Sequence, residues 1–236
     1  TLPDTLRGIV ASRLDSLEPA ERVVLTDAAV IGRRGPITSL AEMAEHMHVD
    51  EAIDVDAAVA RLVEAELLEV DGRHWEFRSE IAREVAYRTL PKAERARRHA
   101  GIAWWLEGAA LATAGLTLDP AGHRSDEVLA GAGAIDDATV NRTAHHWATA
   151  AELVAEMGRL AKVPDDAADR AVCWLAAAGR RAQRRDLLPA AERAYDRALD
   201  LAGDEPEGRR IRLLISRSRV RGDRWDLHSA RDDAEA

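Results

Sequence analysis

Apolar residues recur at three- and four-residue spacing over most of the chain, the signature of helices with one buried face. Leu6, Ile9, Val10, Leu14 and Leu17 predict a first helix from about Asp4 to Leu17. Pro19 suits the first turn of a second helix ending near Gly32. Its Val23, Val24, Leu25, Ala28, Ala29 and Ile31 are apolar enough for a central position. Arg33-Arg34-Gly35-Pro36 reads as a turn, and Thr38 as the cap of a short helix to about Met47. Asp54 to Leu67 reads as a further helix. The period then changes. Leu68-Glu69-Val70 and His74-Trp75-Glu76-Phe77 alternate around Asp71-Gly72, whose residues tolerate positive φ, so a β-hairpin turns there.

Helical spacing returns over Ser79–Thr89 and in a long helix after Pro91. Residues 112–137 are rich in Gly, Asp, Pro and Ala and read as a mobile linker. Helices then follow over Thr139–Gly158, Asp165–Arg184, Pro189–Leu201 and Pro206–Arg221, and Trp225 opens a partial one. Arg185-Asp186 and Gly222-Asp223 match at an offset of 37, close to a tetratricopeptide period of about 34. Alanines such as Ala176, Ala177, Ala182 and Ala194 would let helices approach closely, with Tyr195 filling the gap. The expected fold is mainly α. A winged-helix domain with one small β-hairpin covers 1–90, a connecting helix and flexible linker 91–137, and a truncated tetratricopeptide-like hairpin array 138–236.

Composition supports helices: apolar residues are 47%, charged residues 32% and aromatics only 4%. The net charge of −9 counts against a chain built to grip phosphate backbones, so nucleic acid is not the expected partner. The lone Cys173 cannot form an internal disulfide and reads as a buried thiol. No apolar run is long enough to span a membrane, and a cytoplasmic location is expected. Both ends look like cuts in a longer polypeptide.

No phosphate loop, HExxH or paired CxxC is present, so no catalytic residue and no metal ligand is nominated. His46-Met47-His48 and His145-His146 put neighbouring rings about 100° apart, which suits a helix surface or interface. Of Trp104 and Trp105, one is expected in the core. Arg95, Arg97 and Arg98 lie in the densest basic stretch and are the nucleic-acid candidates under an alternative reading as a winged-helix DNA binder. Arg180, Arg181, Arg184, Arg185 and Tyr195 are the partner-binding candidates on the repeats.

The segment Leu2-Pro3-Asp4-Thr5-Leu6-Arg7-Gly8-Ile9-Val10-Ala11-Ser12-Arg13-Leu14 resembles the region just after the nucleotide-binding domain of the signal-transduction ATPases. Those ATPases occur in multidomain adenylate cyclases and large LuxR-type transcriptional regulators. The resemblance continues through Phe77-Arg78-Ser79-Glu80-Ile81-Ala82-Arg83-Glu84 and Ala93-Glu94-Arg95-Ala96-Arg97-Arg98-His99. It implies a non-catalytic regulatory segment that relays nucleotide state or partner binding through contacts with an upstream ATPase domain of the same chain. ATP or ADP would belong to that parent and not to this segment. By family position Arg78 and Ser79 are the nucleotide-sensor candidates. The family usually has His where Ser79 stands, and a serine can donate a hydrogen bond but carries no charge.

Overall fold

The computed structural model describes residues 4–48, 53–117, 129–203 and 207–235. It is mainly helical and divides into two compact units, Thr1–Gly101 and Ile102–Ala236. Among the described residues no helix is long and apolar enough to cross a membrane.

The first unit contains α1 (Asp4–Asp15), α2 (Pro19–Ile31), β1 (Arg34–Pro36), α3 (Ile37–Met47), α4 (Val55–Glu64), β2 (Leu68–Asp71), β3 (His74–Phe77) and α5 (Glu80–Thr89). Helix α2 is central, as its composition predicts: every residue from Val24 to Ile31 is buried. It packs on α3, α4 and α5. Pro19 opens it without losing a helical hydrogen bond, and the Glu21 carboxylate accepts the Glu18 N–H at 3.1 Å. Leu25 and Leu62 are both fully buried, and each such side chain stabilises by about 1.5–3 kcal/mol.

Local chemistry shifts several expected boundaries. Arg33–Pro36 is not only a turn, because Arg34–Pro36 forms a strand that pairs antiparallel with β3, giving the order β1-β3-β2. Gly35 faces Trp75, whose ring would lie 2.9 Å from a Cβ at that position, so only glycine permits this pairing without a shift. The Trp75 indole N–H donates to the Pro36 carbonyl at 3.2 Å. Helix α3 starts at Ile37 after Pro36, so Thr38 lies inside its first turn and is not its cap. Helix α4 stops at Glu64, short of Leu67. There Glu66 takes φ +56°, and the Glu66 and Leu67 amides donate back to Val63 and Leu62. The hairpin forms one residue later than expected: Asp71 pairs with His74, and Gly72-Arg73 is the loop, with Gly72 at φ +58°.

Helix α6 (Lys92–Ala114) begins in the first unit and ends in the second. Its opening turns belong to the first core, since Ala96, Arg98, His99 and Ala100 are buried there. The first unit therefore runs beyond the expected end at 90.

The second unit continues with α7 (Asp137–Met157), α8 (Ala167–Arg184), α9 (Leu188–Ala202), α10 (Glu207–Asp223) and α11 (Leu227–Glu235). Each helix packs on the next in order. Three-residue connections join α8 to α9 and α10 to α11, so each pair folds back as a hairpin. Gly179 on α8 lets the buried Tyr195 of α9 approach, with a Cβ there only 2.7 Å from its ring. Asp186 and Trp225 each terminate a first helix in the left-handed conformation, at φ +59° and +65°. Trp225 thus ends α10 and does not open α11. Asp186 and Trp225, Arg184 and Asp223, and Leu188 and Leu227 all stand 39 apart, so the repeat offset is 39 and not 37.

The described ends of the expected linker over 112–137 take part in the fold. Helix α6 continues to Ala114, and Leu129, Ala130 and Ile135 are buried. The Asp136 carboxylate caps α7 by accepting the Thr139 N–H at 2.8 Å. Residues 118–128 of that stretch, and Pro206, lie outside the described residues.

Candidate functional site

Positive side chains near one another repel unless carboxylates or carbonyls lie between them, so partners decide what an arginine cluster can do. In the first unit the arginines of the densest basic stretch are occupied. Arg98 is buried, and donates to Asp27 at 2.7 Å and Glu94 at 2.8 Å. His48 meets the same Asp27 at 3.1 Å, so this histidine serves a buried polar cluster and not an open surface. Arg97 pairs with Glu94, and Arg95 donates to the Leu90 carbonyl at 3.0 Å while lying over the Tyr87 ring. The basic stretch proposed for nucleic acid is therefore consumed by its own fold. Arg78 is exposed and pairs with Glu66 at 3.6 Å. The Ser79 hydroxyl oxygen accepts the Ile81 N–H at 3.2 Å and caps α5. That role needs an oxygen and no charge.

In the second unit the candidates separate into two groups. Arg181 is a buried clamp. It donates to the carbonyls of Ile135, Leu129 and Ala132 at 2.6, 2.8 and 2.7 Å and pairs with Asp137 at 3.1 Å. Arg185 pairs with Asp137 at 2.8 Å, and Tyr195 has no exposed surface. Arg181 and Tyr195 are thus interior residues, a correction to their expected place on a partner-facing surface. The reason is positional: Arg181 sits one residue, about 100°, round α8 from Arg180.

The other group lines a groove of about 520 Å³ formed by Ala130, Gly131, Arg180, Gln183, Arg184, Ser216 and Arg219. No acidic side chain is in this lining among the described residues. Arg184 donates to the Ala130 carbonyl. Burial pushes the Arg180 guanidinium below its ordinary value, and the charges of Arg212 and Arg184 push the same way. Burial raises the Tyr195 phenol, against the pull of the positive Arg180, Arg184 and Arg219 near it.

The two faces of α10 differ. On one face Arg217 and Arg221 pair with the carboxylates of Asp196, Asp233 and Glu192. Arg212, Ser216 and Arg219 follow each other at four- and three-residue spacing on a separate stripe. Among the described residues neither Arg184, Arg212 nor Arg219 has an ion-pair partner, and the Arg212 Nε is buried without a hydrogen bond. Sequence reasoning missed Arg212, Ser216 and Arg219. The signal was the repeat itself, since Arg219 stands 39 residues after Arg180.

A separate polar node lies deeper. The buried Glu107 carboxylate accepts the indole N–H groups of Trp147 at 2.9 Å and Trp174 at 2.7 Å and pairs with Arg170. Arg170 lies over the exposed Trp104 ring at 4.9 Å. Trp104 and Trp105 are both outside the core, and Trp147 and Trp174 take that place. His146 is buried, with the His145 ring 5.2 Å away, where a surface or interface position was expected. Cys173 is buried as expected, and burial pushes its thiol up to about 11, so it is not a nucleophile at neutral pH.

No family model, curated protein or solved structure matches the chain.

Proposed function

We propose that the chain is a non-catalytic regulatory and interaction segment of a larger ATPase-linked signalling protein, an adenylate cyclase or a transcriptional regulator. In this reading the first unit is a winged-helix domain that contacts an upstream ATPase domain, and the second is a tetratricopeptide-like array that holds a partner. ATP and ADP act on the parent, and the location is cytoplasmic. The observation that carries the reading is the groove on the helical hairpins, whose arginines Arg184 and Arg219 have no carboxylate partner among the described residues. The β1-β3-β2 sheet, with its β2-β3 hairpin following α4, supports the winged-helix assignment, and the 39-residue recurrence of hairpin landmarks supports the array.

No observation favours the alternative DNA-binding reading, because Arg95, Arg97 and Arg98 are engaged within the fold. A titration of the whole chain with labelled duplex DNA tests the choice. We expect no saturable binding at low salt. Tight binding that collapses between about 50 and 200 mM salt overturns the interaction reading.

A further inference from the structure

We propose that the groove between α8 and α10 binds an extended acidic peptide segment of a protein partner, gripping its carboxylates with Arg184 and Arg219. This rests on the interaction reading above and gives it a ligand chemistry.

Three observations lead there. First, the site is built by two helices of successive hairpins. Arg180, Gln183 and Arg184 come from α8, and Ser216 and Arg219 from α10, so the groove depends on the repeat and not on one mobile loop. Second, Arg184 and Arg219 have no ion-pair partner among the described residues. On the other face of α10, Arg217 and Arg221 are matched with carboxylates. The chain has 42 acidic residues and a net charge of −9, yet no acid among the described residues lines this groove. Third, the lining mixes guanidinium forks with neutral groups. A guanidinium takes a carboxylate through two parallel N–H donors. The Gln183 amide and the Ser216 hydroxyl can meet a peptide's N–H and C=O groups.

A peptide fits better than a nucleic acid. About 520 Å³ holds a few side chains and not a duplex. The net charge of −9 repels a long polyanion beyond the groove, whereas a short acidic stretch feels mainly the local field.

The test is fluorescence anisotropy on the whole chain with three labelled probes. These are an octapeptide alternating Glu and Ala, the same peptide with Gln for Glu, and a single-stranded oligonucleotide of equal charge. We expect the Glu peptide to bind at least about tenfold more tightly than the Gln peptide, with affinity falling as salt rises. Arg219→Glu should weaken it by about tenfold or more. Gln183→Glu adds a carboxylate to the lining without removing an arginine and should weaken it in the same direction. Arg159→Glu, exposed and outside this lining, should leave binding unchanged. Circular dichroism confirms that each variant is folded. Equal affinity for the Glu and Gln peptides overturns the proposal, as does an unaffected Arg219→Glu or a preference for the oligonucleotide. Failure here leaves the interaction reading standing, because that reading falls on duplex binding, a different ligand and assay.

Discussion

Two arginine-rich stretches look alike in the sequence and behave oppositely in the structure. Arg95, Arg97 and Arg98 lie in the densest basic run of the chain, yet each is taken up by a carboxylate, a carbonyl or an aromatic face. Arg180, Arg184 and Arg219 are more widely separated along the chain, yet share one groove with no acid among its described lining residues. Density along the chain is therefore a poor guide to electrostatic potential. A cation whose partner arrives from another helix, as Asp27 of α2 reaches Arg98 of α6, adds little to the field outside. Arg184 and Arg219, with no ion-pair partner among the described residues, leave their charge facing the cleft.

The first way to break this comparison is to remove a cation that the fold consumes. Arg98→Ala leaves the buried Asp27 with His48 but without its guanidinium partner, and such a loss costs up to about 3–5 kcal/mol. Urea unfolding followed by circular dichroism should show the first unit melting at markedly lower denaturant. If Arg98→Ala unfolds as the parent does, Arg98 is not held by Asp27 in solution.

Arg181→Ala tests whether a member of the second stretch belongs with Arg98 or with the groove. It strips the Leu129, Ala132 and Ile135 carbonyls of their donor, for a loss of about 1–3 kcal/mol. The loss should be local, and hydrogen exchange over residues 129–137 should accelerate. Unchanged exchange would return Arg181 to the surface group.

Sequence pattern located the central α2, the alternation of β3 and the hairpins of the second unit because each rests on local period. It missed β1 because three residues carry too little period, and because the pairing depends on Gly35 meeting a tryptophan forty residues away in the chain. The groove was lost to a register error of two residues. An offset of 37 aligns Arg180 with Arg217 and Arg184 with Arg221, both ion-paired on the other face of α10. The true offset of 39 aligns Arg180 with Arg219. Two residues turn a helix by about 200°, so the error exchanged the open face for the paired one. Ser79 was readable only as a departure from a family pattern. Its capping role needs the start of α5, which the chain does mark with a serine before a helical run.

Between the consumed and the open arginines stands Arg170, whose partner Glu107 is the most enclosed carboxylate of the second unit's tryptophan cluster. Burial raises the Glu107 pKa above its ordinary 4.5, and Arg170 with the two indole donors only partly opposes this. The native state therefore holds this proton to higher pH than the unfolded chain does. The stability it confers is complete below about 4.5 and is lost as pH rises through the raised value. Glu94 and Asp136, with lowered values, act in the opposite sense and at lower pH. Comparison with Glu107→Gln removes those shared contributions. The stability difference between the parent and Glu107→Gln should shift against the parent as pH rises above 4.5 and then level off. A difference that is flat with pH would mean that Arg170 and the indoles fully compensate the burial.

The smallest effect on stability is the sharpest test of the comparison. Arg219 is exposed, lines the groove, and has no ion-pair partner among the described residues. Arg219→Ala should therefore alter unfolding by no more than about 0.5 kcal/mol. If it relieves repulsion with Arg180 and Arg184, the change is a slight gain. The same substitution should weaken the acidic peptide severalfold in anisotropy. That dissociation of binding from stability is what separates an open cation from a consumed one, since Arg98→Ala loses fold first. An Arg219→Ala chain that is destabilised by more than about 1–2 kcal/mol would show that this arginine is held within the molecule after all, and would place it with Arg98.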